Sequence, residues 1–391
     1  MTHTLRMSRA AVAFVFLANG TLIGIWAAHI PLIKAAHGLS DARLGLVLLG
    51  FALGALLTMA ATGWLTAHFP SGRVMVVTGI ACCLSLALPP LAASIPVLFA
   101  TAVVLGGLSG AMDIAMNAHA VAVERAWRSH IMSSFHAFFS LGGLVGAGAA
   151  SLLLACALGP AANMSISAVV LAAAIAAVAP RVWPRDSHPG TDVHAPPHDT
   201  RRSAPPRPWR KLAPLGVIGF CSAVAEGAMV DWTAIYLSSV LGAAVTVASV
   251  GFAAFSLAMT AGRLTGDAVV GSLGRSATLV GSAAVAALGL TVAVIAHGPA
   301  WAAVGFGVAG LGLANIIPIV FSAAGRTTPS APGVGVATVA TLGYAGFLLG
   351  PPVIGFVAGH SGLRVGLGLL VAAALLMCAM GARAARDLAE L

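Results

Sequence analysis

Charge is scarce in this chain. Only 8% of its 391 residues are Asp, Glu, Lys or Arg and 59% are hydrophobic, whereas a soluble globular domain carries roughly 25% charged residues. An ordinary soluble enzyme or binding domain is therefore excluded. Cysteine is sparse too: Cys82, Cys83, Cys156, Cys221 and Cys378 all lie in apolar runs, with no CxxC and no histidines at ligand spacing, so no zinc or redox motif is present. No Walker sequence occurs, which argues against an ATP-driven machine. The glycine-rich GLGLANIIPIVF is no nucleotide fingerprint either, because it lies in an apolar run with no strand before it. No cofactor and no metal site are expected, and no soluble domain accompanies the apolar runs to suggest a receptor or scaffold.

What fills the chain instead is a succession of apolar runs of about 20 residues, each able to cross a hydrocarbon core of about 30 Å as a helix. The spacing predicts spans at 10–33, 42–66, 74–94, 97–122, 131–158, 161–180, 212–240, 245–267, 276–296, 299–323, 333–358 and 363–384. The basic start MTHTLRMSR looks like that of a signal peptide, but the run behind it is too long for one and is read as the first span. With a cytoplasmic N-terminus, all 20 Lys and Arg fall on the inside except Lys34, Arg43 and Arg364, the asymmetry that the positive-inside rule requires. Both termini are then cytoplasmic. Topology also explains the pI near 10.4, so nucleic acid is not an expected partner.

Residues 181–211 are polar and proline-rich and divide the chain into 1–180 and 212–391. The histidines His188, His194 and His198 in that linker are not read as a metal site. The second half repeats the first at an offset of about 200 residues. Gly50-Phe51-Ala52 recurs as Gly251-Phe252-Ala253, Gly63-Trp64-Leu65-Thr66 as Gly262-Arg263-Leu264-Thr265, and Gly72-Arg73 as Gly274-Arg275. Asn19-Gly20 before Trp26 answers to Glu226-Gly227 before Trp232.

On these residues the chain resembles the major facilitator superfamily. The signature after the second helix is best kept in the second copy, at Gly262, Leu264, Asp267, Gly274 and Arg275; in the first copy Ala67 and His68 stand where the acid is expected. The stretch from Asp113 through Gly143, with EGAMVDW in the seventh span, is similar to the bacterial branch called YbjJ-like, more distantly the fucose-permease group. The resemblance implies an all-α membrane protein of twelve transmembrane helices in two pseudo-symmetric six-helix halves. It also implies that the first, fourth, seventh and tenth helices surround a central cavity. An exporter signature in the fifth helix would add a proline to Gly142, Gly143, Gly146 and Gly148; none is there.

Polar residues inside the spans are the candidate machinery. At about 100° per residue, Ser109, Asn117 and Glu124 fall within roughly 40° of Asp113. A carboxylate at mid-membrane costs about 2.5–3.5 kcal/mol on insertion scales, so this stripe should face protein or water. Asp113, Glu226 and Asp231 are the proton-coupling candidates, with Glu226 near the midplane and Asp231 nearer the outer end. Asn19, Trp26, Asn117, His136, Ser140, Trp232, Asn315 and Tyr344 are the candidates for holding a solute. Gly63, Arg73, Glu124, Arg125, Gly262, Arg263, Asp267, Gly274 and Arg275 form a cytoplasmic gate and loop motif. His119, about 120° from Asp113, is read as packing. The expected function is secondary active transport of a small solute by a monomer in the cytoplasmic membrane, coupled to protons. Uptake of a polar metabolite such as a sugar is the main reading, and proton-coupled export of amphipathic or toxic compounds the alternative.

Overall fold

The computed structural model describes residues 3–39, 41–182, 209–243, 250–328 and 330–389. Most of the expected linker, with its three histidines, lies outside the described residues. Every regular element among them is helical: α1 His3–Ala36, α2 Asp41–His68, α3 Ser71–Ser85, α4 Ile95–Trp127, α5 Met132–Ala155, α6 Pro160–Val178, α7 Trp209–Ile235, α8 Val250–Leu273, α9 Arg275–Ile295, α10 Pro299–Leu313, α11 Ile316–Thr327, α12 Pro332–Ser361 and α13 Leu363–Ala389. Helices dominate because, without water, each backbone N–H and C=O must find its partner within the segment.

Twelve spans are expected; among the described residues eleven stretches are long and apolar enough to cross a membrane, with α10 and α11 together forming one of them. The exception is α8. It is a regular helix of 24 residues, but it carries Arg263 and Asp267 within its length, which lowers its hydropathy. It runs to Leu273 rather than ending near 267, so both charged residues belong to the helix and not to a loop.

The chain divides into two compact units. The first comprises Met1–Arg128, Phe135–Pro208 and Thr328–Thr338; the second comprises Ser129–Ser134, Trp209–Thr327 and Val339–Leu391. The start of α5 thus clusters with the second unit and the start of α12 with the first. Within the first unit α2 and α3 pack on α4, α3 on α6, and α1 on α4 and α6. Within the second, α8 and α9 pack on α10, α9 on α13, and α7 on α11 and α13. The same order of pairing recurs in each.

Glycine permits the closest of these approaches. A Cβ at Gly20 would fall on the Phe139 carbonyl, one at Gly142 on that of Leu17 and one at Gly146 on that of Thr21, so α1 and α5 meet backbone to backbone. Such contacts drive helix association where lipid is as apolar as leucine. Leucines on the opposite faces, such as Leu57 on α2 and Leu257 on α8, are left fully outward.

Candidate functional site

In the first unit the carboxylate expected from sequence sits on α4, an unbroken helix of 33 residues. Asn117, one turn on, donates its Nδ2 to the Asp113 backbone carbonyl at 2.9 Å and to Asp113 Oδ1 at 3.1 Å. Asn117 is fully buried, and its Oδ1 has no hydrogen-bond partner among the described residues. From α1, Asn19 points its Nδ2 at the Met116 sulfur, 3.5 Å away, and its Oδ1 is likewise buried and unpartnered. Thus Asp113 and Asn117 pair on one helix with no ion pair to either among the described residues, and Asn19 meets the same helix at Met116.

Other candidates of this unit are placed differently. Trp26 is buried and stacked on Phe51, ring centroids 6.0 Å apart, which makes it a packing residue of the α1–α2 contact. His136 is buried with its ring edge against Phe16. Ser140 gives its hydroxyl to the His136 carbonyl at 3.2 Å. Gly63 and Glu124 are buried, Arg125 is half-buried and Arg73 is exposed. His119 is buried and its Nδ1 lies 3.0 Å from Ser71 Oγ, a structural contact between α4 and the start of α3.

The second unit is built around a broken helix. Pro318 has no N–H to give to the carbonyl four residues back, that of Ala314, and the helix divides there into α10 and α11. The orphaned Ala314 carbonyl accepts from Arg263 Nε at 3.4 Å. In return Asn315 donates Nδ2 to the Gly262 carbonyl at 3.2 Å. Gly262 and Gly266 make room, since a Cβ at Gly262 would crowd Ala314 and one at Gly266 would fall on Asn315 Oδ1. That oxygen is buried with no hydrogen-bond partner among the described residues.

The guanidinium that caps the break also reaches Glu226 on α7: Nη2 lies 3.5 Å from Oε2. Ser222, one turn earlier, donates to Glu226 Oε1 at 3.5 Å. Arg263, grouped by sequence with the loop motif, therefore stands in the middle of α8 as the partner of the acid. Of the remaining candidates, Asp231 is on an exposed face of α7. Trp232 is half-buried beside Gly355, its Nε1 lacking a partner among the described residues. Tyr344 is half-buried with its ring against Phe347. Gly274 adopts φ 80°, a left-handed turn that suits glycine, just before Arg275 starts α9.

One turn along α8 from Arg263, the Asp267 carboxylate accepts from the backbone N–H groups of Ser133 and Ser134, at 2.9 and 3.1 Å. These belong to the first turn of α5, where helix N–H groups have no internal acceptor, so Asp267 caps α5 in trans. In the first unit the corresponding contact is uncharged: Thr66 sits where a Cβ on Gly333 of α12 would fall. His68 turns its Nδ1 back to the Trp64 carbonyl of its own helix instead.

The profile of the Major Facilitator Superfamily matches residues 10–264. The chain belongs to the major facilitator superfamily. Its members are transporters rather than enzymes, and the chain is a multi-pass membrane protein of the secondary-transport kind. Relatives within the superfamily include an uncharacterised MFS-type transporter of Yersinia pestis, 38% identical over 376 residues and covering 96% of this chain and 95% of the relative. Membrane protein MosC of Rhizobium meliloti is 34% identical over 372 residues, covering 95% and 89%. The solved structure of the E. coli fucose:proton symporter FucP superposes with a TM-score of 0.79 over 97% of this chain and 98% of that one, at 14% identity, a likeness of fold.

Sequence reasoning missed two residues that hold one end of the second unit. Tyr236, fully buried in a π-turn after α7, donates to the Ala293 and Val294 carbonyls at 3.1 and 3.0 Å. Arg364 donates to those of Val294 and Ala296 at 3.3 and 2.9 Å. Together they satisfy the last carbonyls of α9. The signal was slight: a lone arginine two residues after Gly362.

Proposed function

We propose that the protein is a proton-coupled transporter of the cytoplasmic membrane that takes up a small polar solute, such as a sugar, by alternating access. The two halves, 1–180 and 212–391, move about the linker at 181–211; both termini are cytoplasmic, and the monomer is the working unit. The observation that carries the reading is Glu226: a carboxyl group inside a spanning helix, held 3.5 Å from Arg263. An intramembrane acid held only by long contacts, to Arg263 and Ser222, is the kind of group that takes up and releases a proton during a transport cycle. The fold it shares with the fucose:proton symporter supports the coupling, and the buried, unpartnered amide oxygens of Asn19 and Asn117, the latter beside Asp113, support a polar cargo.

The test is transport in proteoliposomes. Under an inward proton gradient the wild type should accumulate a labelled sugar or sugar derivative above the outside concentration, and an uncoupler should abolish the excess. Glu226→Gln should lose uphill accumulation yet keep exchange of labelled for unlabelled solute. Uphill accumulation of undiminished size in Glu226→Gln would refute the assignment. Loss of preloaded amphipathic compounds under the opposite gradient would replace uptake by export.

A further inference from the structure

The acid of the first unit narrows the solute, granted that the protein carries a small polar solute and that Glu226 takes the proton. From Ser109 to Val121 every residue of α4 is buried except Asp113, which is half-buried. The one opening in that stretch is therefore at a carboxylate. At about 100° per residue, Gly106 and Gly110 lie about 20° and 60° to one side of Asp113, and Met116 about 60° to the other. The two glycines face α2, where a Cβ at Gly106 would fall on the Phe51 carbonyl and one at Gly110 would crowd Ala55. Met116 meets Asn19 of α1. Asp113 thus opens into the seam between α1 and α2. Trp26 of α1 and Phe51 of α2 stack across that seam and close it toward Gly106, and Asn19 borders it toward Met116.

The polar atoms left over there are of one kind. Asn117 gives its Nδ2 to Asp113, and Asn19 turns its own to the Met116 sulfur. The Oδ1 atoms of both are buried with no hydrogen-bond partner among the described residues. Asp113 accepts from Asn117 on Oδ1 and has no ion pair among the described residues. Only Ser109, one turn earlier, adds a hydroxyl, which can give or accept. Ionisable groups on the packed helices lie elsewhere. Arg6, Arg9, Lys34, Arg43 and Arg73 stand toward the ends of α1, α2 and α3, and Glu124 and Arg125 toward the end of α4. His29 has its Nδ1 on the Ile25 carbonyl, His119 lies on the α3 side against Ser71, and His136 has its ring edge on Phe16.

A carboxylate within a membrane helix is costly unless paired, and a buried acceptor without a donor adds to that cost. An ammonium group answers both needs, since it offers three donors and no acceptor and makes a charge-assisted bond to a carboxylate. We infer that Asp113 is the binding group for a solute bearing one protonated amine beside its hydroxyl groups, such as an amino sugar, with Asn117 Oδ1 accepting from a neighbouring N–H or O–H. A neutral sugar would leave the carboxylate without a counter-charge. A sugar acid would set a second negative charge beside it.

The test uses the full-length purified protein in nanodiscs, in mildly acidic buffer where primary amines are cationic. It measures binding of matched sets that differ at one group: glucosamine, N-acetylglucosamine, glucose and gluconate, then serinol, glycerol and glycerate. In at least one set the amine should bind about tenfold or more tightly than its capped, neutral and acidic counterparts. Asp113→Asn should bring the amine down to the neutral counterpart while unfolding at the wild-type temperature, and Asp113→Glu should restore part of the preference. If no amine outbinds its counterparts, or if the preference survives in Asp113→Asn, the inference fails. Uphill uptake of a neutral or acidic solute that depends on Glu226 would then leave proton-coupled uptake standing. An amine held through Asp113 but not concentrated by an inward proton gradient would keep this inference and overturn that reading.

Discussion

The two units solve one problem differently. In the first, α4 runs unbroken through the level of Asp113, and the acid is partnered by an amide on its own helix. In the second, the structural counterpart of α4 is broken at Ala314 and Asn315, and the acid is on α7, paired with a cation from α8. A hydrogen bond within one helix leaves the helix free of its neighbours. An ion pair that joins α7 to α8 and also caps the break in α10–α11 ties three elements to one carboxylate. A change at Glu226 therefore reaches further than one at Asp113. Contact along the helices differs in degree, since between α1 and α5 a Cβ would fall on a facing backbone carbonyl at Gly20, Gly142 and Gly146, whereas between α7 and α12 it would crowd the Phe220 carbonyl at Gly346 but make only an ordinary 3.4 Å contact with Val224 at Gly350.

The largest effect should come from filling the tighter interface. Gly146→Val would drive a side chain into the Thr21 carbonyl and should cost more than the about 1–3 kcal/mol typical of overpacking, leaving little folded protein by size-exclusion chromatography. Gly350→Ala should elute as the wild type. Equal loss in both would erase the contrast between the interfaces.

Next in size is the ion pair. Arg263→Gln leaves Glu226 without its partner and should destabilise by about 3–5 kcal/mol, whereas adding Glu226→Gln should return much of that. Asp113→Asn removes a charge that has no cationic partner among the described residues and should shift thermal unfolding little. If it shifts unfolding as far as Arg263→Gln does, the first unit hides a partner for Asp113.

Smaller again is the cap on α5. Asp267→Ala removes the acceptor for the Ser133 and Ser134 N–H groups and should cost about 0.5–2 kcal/mol, in the range of lost helix caps. Faster hydrogen exchange should be confined to the first turn of α5. The first turn of α12, which faces Thr66 without a carboxylate, should not respond. Tyr236→Phe deletes one buried hydroxyl and should cost about 1 kcal/mol, read in the unfolding temperature.

Local pattern made much of this legible. Apolar runs located the helices because span length is dictated by the bilayer, and Asp113 with Asn117 could be paired because residues four apart share a helix face. Arg263 could not be read the same way. Its surroundings, GRLTGD, match a loop signature, while its partner Glu226 is 37 residues away on another helix. Asn315 and Pro318 stood out in sequence, but the carbonyl that Pro318 orphans belongs to Ala314, an unremarkable residue, and its acceptor role depends on which helix packs alongside. The trans cap at Asp267 is equally non-local. Trp26 looked like a stacking surface for a solute, yet Phe51 on the neighbouring helix takes that face.

The most direct measurement sets the two acids side by side: uphill solute accumulation under a proton gradient in proteoliposomes bearing Asp113→Asn or Glu226→Gln. The ion-paired unit should carry the coupling, so Glu226→Gln should only equilibrate the solute while Asp113→Asn still concentrates it, with lower affinity. Accumulation that survives in Glu226→Gln and collapses in Asp113→Asn would contradict this and move the proton to the first unit.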